Sequence, residues 1–152
     1  MSSRRTAAAT ILAVTMALAA CGGAASIPPS ATPQPDVVSV ACVDSVGPFV
    51  EALQDLNSRL NVGLNQAAYS EKVGDVRVAY DRIDWTEVEA LCITQVGKPA
   101  EDAFNAYVRA NSAWSKCLQA RNCNYDKVRP RLQKEWASAT ELLDAIEKRL
   151  PD

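Results

Sequence analysis

Chemistry in this 152-residue chain is bounded first by what it has and lacks: cysteines at Cys21, Cys42, Cys92, Cys117 and Cys123, and no histidine. Without histidine, Ser-His-Asp and Cys-His catalysis are excluded and the commonest transition-metal ligand is missing. A four-cysteine zinc site would want paired C-x-x-C ligands, and the sequence contains no such pair. Carboxylates could supply a general acid and base, with Asp81, Asp84, Glu87, Glu89, Glu101 and Asp102 as the candidates. On amphipathic helices, clusters of this kind are ordinarily caps or solvated faces. The expectation is therefore a protein with no catalytic residue, no metal and no cofactor, and not an enzyme.

Two further sets could bind rather than react. Tyr69, Tyr80, Trp85, Phe104, Tyr107, Trp114, Tyr125 and Trp136 would suit a ligand pocket, but most fall on helical core faces, so core packing is the expected role. Charge is also unevenly spread. Between Arg109 and Lys134 lie seven basic residues against Asp126 alone, whereas between Glu71 and Asp102 eight acidic residues face four basic ones. The two segments are expected to pair with each other on the folded surface. Otherwise Arg121, Lys127, Arg129 and Arg131 form a patch for an anionic partner.

The first 21 residues carry an address. Arg4 and Arg5 precede an apolar run from Ala7 to Leu18, followed by small residues: the three parts of a secretory signal. The run is too short for a stable span, which needs about 20 apolar residues. Leu18-Ala19-Ala20-Cys21 resembles the lipobox of bacterial lipoproteins, in which Leu and two small residues precede Cys. The resemblance implies cleavage before Cys21, a diacylglycerol on its thiol and an acyl chain such as palmitate on the new amino group. Two or more chains make a stable membrane anchor on the extracytoplasmic face. Ser3-Arg4-Arg5 also raises twin-arginine export, ranked second because the apolar residues usual after that motif are missing. The Ala-rich, Cys-bridged style further resembles lipoproteins of actinobacteria, a likeness that implies no activity.

Processing at that site divides the chain into a signal peptide (1–20), a lipidated Cys21 with a proline-rich tether (21–36) and a domain (37–152). Removing the signal leaves 14 basic and 18 acidic side chains, a net charge of −4 with no nucleic-acid signature. Setting Cys21 aside also leaves an even number of cysteines, as an exported domain with two disulfides would have. Three connectivities are open. Cys117 with Cys123, close across a turn, and hence Cys42 with Cys92, is the favoured one.

Helices must position these groups. The tether, with Pro28, Pro29, Pro33 and Pro35, cannot build a core and would span at most about 45 Å. Val37 to Val46 reads as a short strand or a lead-in, with the helical form preferred because a lone strand has no partner. A helix opening near Pro48 carries Phe49, Leu53, Leu56 and Leu60 on one face and stops at Asn61 or Gly63. A second, from about Asn65 to Arg82, presents Tyr69, Val73, Val76, Tyr80 and Ile83. Asp84-Trp85-Thr86-Glu87 reads as a capping box opening a third helix through Val88, Leu91, Cys92 and Val96, which ends at Gly97. Lys98-Pro99 then restarts the chain, and a fourth helix puts Phe104, Tyr107, Trp114 and Leu118 on the core side. Leu132, Trp136, Ala139, Leu143, Ile146 and Leu150 mark the last helix, closed by Pro151.

The whole is expected to be all-α: an antiparallel bundle of four or five helices with two disulfides. Functionally it reads as a membrane-anchored lipoprotein of the cell envelope, a non-enzymatic module binding an envelope protein or an anionic envelope component. A carrier of a small ligand or lipid, using a cavity between helices, is the alternative. A hydrolase working through carboxylates ranks third.

Overall fold

The computed structural model describes residues 37–151. The expected signal peptide, the lipobox-like Leu18–Cys21 and the expected tether lie outside the described residues. Those described form helices and connections without a strand. Helix α1 runs Val40–Val62, α2 Gln66–Asp81, α3 Ala90–Cys92, α4 Lys98–Gln119 and α5 Tyr125–Glu147. A π-helical turn, Ile93–Gly97, joins α3 to α4 without a break, so the bundle has four rods.

Direction follows from the side-chain contacts. Gln66 and Ser70 of α2 hydrogen-bond Ser115 and Asn111 of α4, and Tyr80 of α2 reaches Glu101 at its other end. The sequence numbers run oppositely, so α2 and α4 are antiparallel; α4 and α5 are likewise, with Arg109 on Glu135 and Trp114 on Tyr125. One end of the bundle therefore gathers the start of α1, the α2–α3 connection and the end of α5. The other gathers the α1–α2 and α4–α5 links.

Helix α1 begins well before Pro48, a correction to the sequence expectation. Ser39 is its N-cap, accepting from the Cys42 amide at 3.1 Å, and Pro48 stands inside the helix. A proline there costs about 3 kcal/mol by deleting one hydrogen bond and crowding the preceding turn. Val38, Cys42 and Val46 continue the buried face of Phe49, Leu53 and Leu56 toward the N-terminus. Each such burial contributes about 1.5–3 kcal/mol, enough together to offset the proline. The Val37–Val46 segment is thus helical from Val40 onward, pinned by the Cys42–Cys92 disulfide and by the Val38 amide donating to the Arg149 carbonyl at 2.8 Å.

Helix α1 stops where expected: Gly63 takes φ +112°, which side-chain-bearing residues rarely adopt, and donates to Arg59 O at 3.0 Å. Asn65 then caps α2, accepting from the Ala68 amide at 2.9 Å. The capping box at Asp84 does not form. Asp84 instead accepts from the amide and hydroxyl of Thr86 in a local turn, and α3 starts only at Ala90 after Glu89, which makes no side-chain cap. Those two donors hold the Asp84 carboxyl below its ordinary range.

Nor does the third helix end at Gly97. Lys98 keeps helical geometry although Pro99 follows, and its amide bonds the Ile93 carbonyl five residues back. Widening the turn by one residue moves backbone away from the proline ring, so the rod continues. At this turn Gly97 is closely covered by the Trp85 ring: a Cβ at Gly97 would lie 2.9 Å from Trp85 Cζ3.

The core is continuous from Val38 to Ile146 and includes Ala100, Ala103, Ala106 and Ala110 along α4. These alanines let the neighbouring rods approach α4 closely. Leu118, expected on the core side, is 56 % exposed. It lies within the last turn of α4, next to the buried Cys117, on a side of that helix which the other rods leave bare. Among the described residues no helix is long and apolar enough to cross a membrane.

Candidate functional site

The α4–α5 reversal builds the most site-like feature. Cys117, in the last turn of α4, is tied to Cys123 six residues on, and Asn124 caps α5 by accepting from the Lys127 amide at 3.3 Å. Between this ring and the first two turns of α5 lies an open groove of about 480 Å³. Ala113, Cys117, Ala120 and Val128 give it an apolar floor, and Asn122, Cys123 and Asn124 close its loop side. Lys116, Lys127 and Arg131 also line it. A helix spacing of four sets Lys127 and Arg131 on the same face of α5, opposite Lys116 of α4.

Ion pairing at the surface is local, contrary to the expectation that the basic and acidic segments would pair with each other. Arg59 pairs with Asp55, Lys72 with Asp55 and Asp75, Arg77 with Asp81, Lys98 with Asp102, and Arg129 with Asp126. Arg109 spends its charge on Glu135 at 2.9 Å. Among the described residues, no ion pair joins 109–134 to 71–102, and Lys116, Arg121, Lys127, Arg131 and Lys134 are in none. The physical reason is topological: the acids of 80–102 lie at the end of the bundle remote from the α4–α5 link, while the acids of mid-α2 are within reach of their own helix's cations.

Of the four basic residues proposed from sequence, Lys127 and Arg131 meet at the groove. Arg129 does not line it and makes a long pair with Asp126 at 3.8 Å, and Arg121 sits exposed in the link. Lys116 is the member singled out too late by sequence reasoning. It stood in the basic run, and only the disulfide-closed reversal brings it opposite α5.

Like charges at Lys127 and Arg131 repel by a few tenths of a kcal/mol. Lys127 also lies in the first turn of α5, where the helix dipole disfavours a cation. Neither arrangement helps folding. Both are relieved by an anion.

The aromatic residues pack as two clusters. Phe49, Tyr80, Trp85 and Phe104 form one around the α2–α3 connection. Tyr69, Trp114, Trp136 and Tyr125 form the other beneath the groove end. Tyr69 donates to the Tyr107 carbonyl at 2.9 Å and accepts from Trp136 Nε1 at 3.1 Å, and Tyr107 donates to Asn57, which also accepts from Thr140. Burial pushes both phenols well above the ordinary tyrosine range.

The candidate carboxylates do not converge. Asp81 and Asp102 are paired with cations on their own helices, Asp84 with Thr86, Glu89 accepts from Ser39 at 3.1 Å, and Glu101 from Tyr80 at 3.4 Å. Among the described residues, no three metal-ligating side chains cluster. Comparison with protein-family models, curated proteins and solved structures finds no match.

Proposed function

We propose that the chain is a membrane-anchored extracytoplasmic lipoprotein, and that its helical domain is a non-enzymatic binding module for an anionic component of the cell envelope. Support comes from the set of cations at the α4–α5 end: Lys116, Lys127 and Arg131 line one groove, and among the described residues none of the three is in an ion pair. Placement of two of them against repulsion and helix dipole favours a ligand over folding as their reason.

The anchoring part rests on the sequence, and the disulfides support it. Four of the five cysteines are paired with each other, which leaves Cys21 with no partner in the chain and free for a lipid. Two disulfides also suit an oxidising, extracytoplasmic compartment. Replacing Cys21 with Ser is expected to release the protein from the membrane fraction or leave an unprocessed precursor. Unchanged lipid labelling of that variant would refute the lipobox reading.

A carrier with a ligand enclosed between helices has less support, since Phe49, Tyr69 and Tyr107 fill the space among the rods without exposure. Binding is tested in the Cys21→Ser chain, which lacks the anchor, by reversing charge at Lys127 and Arg131 and measuring retention of the protein on isolated cell envelopes. Loss of retention is expected, while Arg121→Glu/Arg129→Glu, a change of equal charge at residues that do not line the groove, leaves most of it. Equal loss in both would reduce the effect to net charge, and no loss in either would remove the basic end from the function.

A further inference from the structure

The groove joins two chemistries that an anion alone does not need. Its cations suit a phosphate or carboxylate, yet its floor of Ala113, Cys117, Ala120 and Val128 is apolar. Leu118 and Tyr125, each next in sequence to a lining residue, are exposed as well. Exposed single hydrophobes are ordinary, but an apolar floor flanked by three cations makes an amphipathic surface.

We infer that this groove binds one molecule of an anionic lipid, its acyl chain along the apolar floor and its charged headgroup against Lys116, Lys127 and Arg131. The inference deepens the anion-binding reading above and depends on it. Charge complementarity selects the headgroup, since the rim offers three cations and no acid. The floor selects the chain, because covering it with hydrocarbon removes apolar surface from water. A hydrophilic polyanion would satisfy the rim and leave the floor wet. The occupant is a single lipid molecule, since the groove is a bounded space of about 480 Å³ at the end of the bundle opposite Val38.

The test uses the full chain carrying Cys21→Ser, with calorimetry against single-chain lysophosphatidylglycerol below its micelle concentration. Lysophosphatidylcholine of the same chain, glycerol 3-phosphate and dextran sulfate are the comparison probes. Lysophosphatidylglycerol is expected to bind about tenfold or more tighter than its zwitterionic counterpart, from the loss of headgroup pairing. Glycerol 3-phosphate, which lacks the chain, is expected to bind about a hundredfold weaker or not at all. Ala120→Trp, which fills the groove from an exposed position, is expected to abolish lysophosphatidylglycerol binding with helicity by circular dichroism unchanged, while Arg129→Glu, outside the groove lining, keeps it.

Several results overturn the inference and leave the anion-binding reading standing. These are equal affinity for glycerol 3-phosphate, equal affinity for the zwitterionic lipid, or full lipid binding by Ala120→Trp. Binding to phosphatidylglycerol vesicles without binding to the single-chain lipid also overturns it, in favour of adsorption to a surface. Failure of both lysophosphatidylglycerol and dextran sulfate to bind sinks the two readings together.

Discussion

Tyr69 carries two polar duties in a dry place: its hydroxyl donates to the Tyr107 carbonyl and accepts from the Trp136 indole, with the side chain fully buried. Deleting that oxygen leaves the Trp136 indole N–H without its acceptor and takes a second donor from the Tyr107 carbonyl, which lies within α4. Tyr69→Phe is therefore expected to lose about 1–3 kcal/mol in urea unfolding, more than the methyl-scale change in volume would suggest. The same burial sets an alkaline limit. Tyr69 and Tyr107 have folded pKa values raised above their unfolded value of about 10, so the folded state keeps protons that the unfolded state releases. Their contribution is fully present below pH ~10 and is lost as pH rises above it, by up to about 2.7 kcal/mol per pH unit for the two phenols. Stability measured from pH 8 to 11 checks this, and Tyr69→Phe should lower the slope.

At the scale of elements, the junction of α3 and α4 is where the chain departs most from local rules. A π turn, a proline and a glycine covered by Trp85 occur within five to seven residues, and the rod still runs on. Gly97 is required there for space, not for backbone freedom. Gly97→Ala is expected to cost about 1–3 kcal/mol, because the indole must move, and to alter Trp85 fluorescence. Gly74, in the middle of α2, has nothing within 4 Å of where a Cβ would stand. Gly74→Ala is expected to stabilise by roughly 0.5–1 kcal/mol through helix propensity. Opposite signs for these two glycines, read in the same urea titration, test the geometry of both helices.

At the scale of the whole molecule, the two disulfides stand at opposite ends and do different work. Cys42–Cys92 closes a span of 50 residues and ties the start of α1 to the short helix α3, which has few contacts of its own to hold it. Cys117–Cys123 spans six residues and shapes the groove. Loop entropy assigns about 4 kcal/mol to the first and about 2.4 to the second. Cys42→Ser/Cys92→Ser is thus expected to lower the unfolding free energy more than Cys117→Ser/Cys123→Ser. The second pair should reduce anionic ligand binding more than stability, because opening the ring separates Lys116 from Lys127 and Arg131. Helix α5, about 34 Å long by its 23 residues, separates the groove from the bundle end where the chain enters.

Much of this architecture was readable in the linear order. The four-three spacing of Phe49, Leu53 and Leu56, of Tyr69, Val73 and Val76, and of Leu132, Ala139, Leu143 and Ile146 dictates helical faces, since only a 3.6-residue period brings them together. The parity of the cysteines and the closeness of Cys117 to Cys123 pointed to the observed pairing. Local signals failed at Pro48 and Pro99, which read as starts but lie within continuous helix because burial outweighed the local cost, and at the exposed Asp84, whose carboxylate is taken by the neighbouring Thr86. The groove was beyond sequence reasoning for a different reason. Lys116 and Lys127 are eleven residues apart on helices running in opposite directions, and which cations find acids depends on which ends of which rods are neighbours. Periodicity determines the face of each helix; only the packed bundle decides that the acids of 80–102 lie at one end and leave these cations, and the apolar floor between them, open at the other.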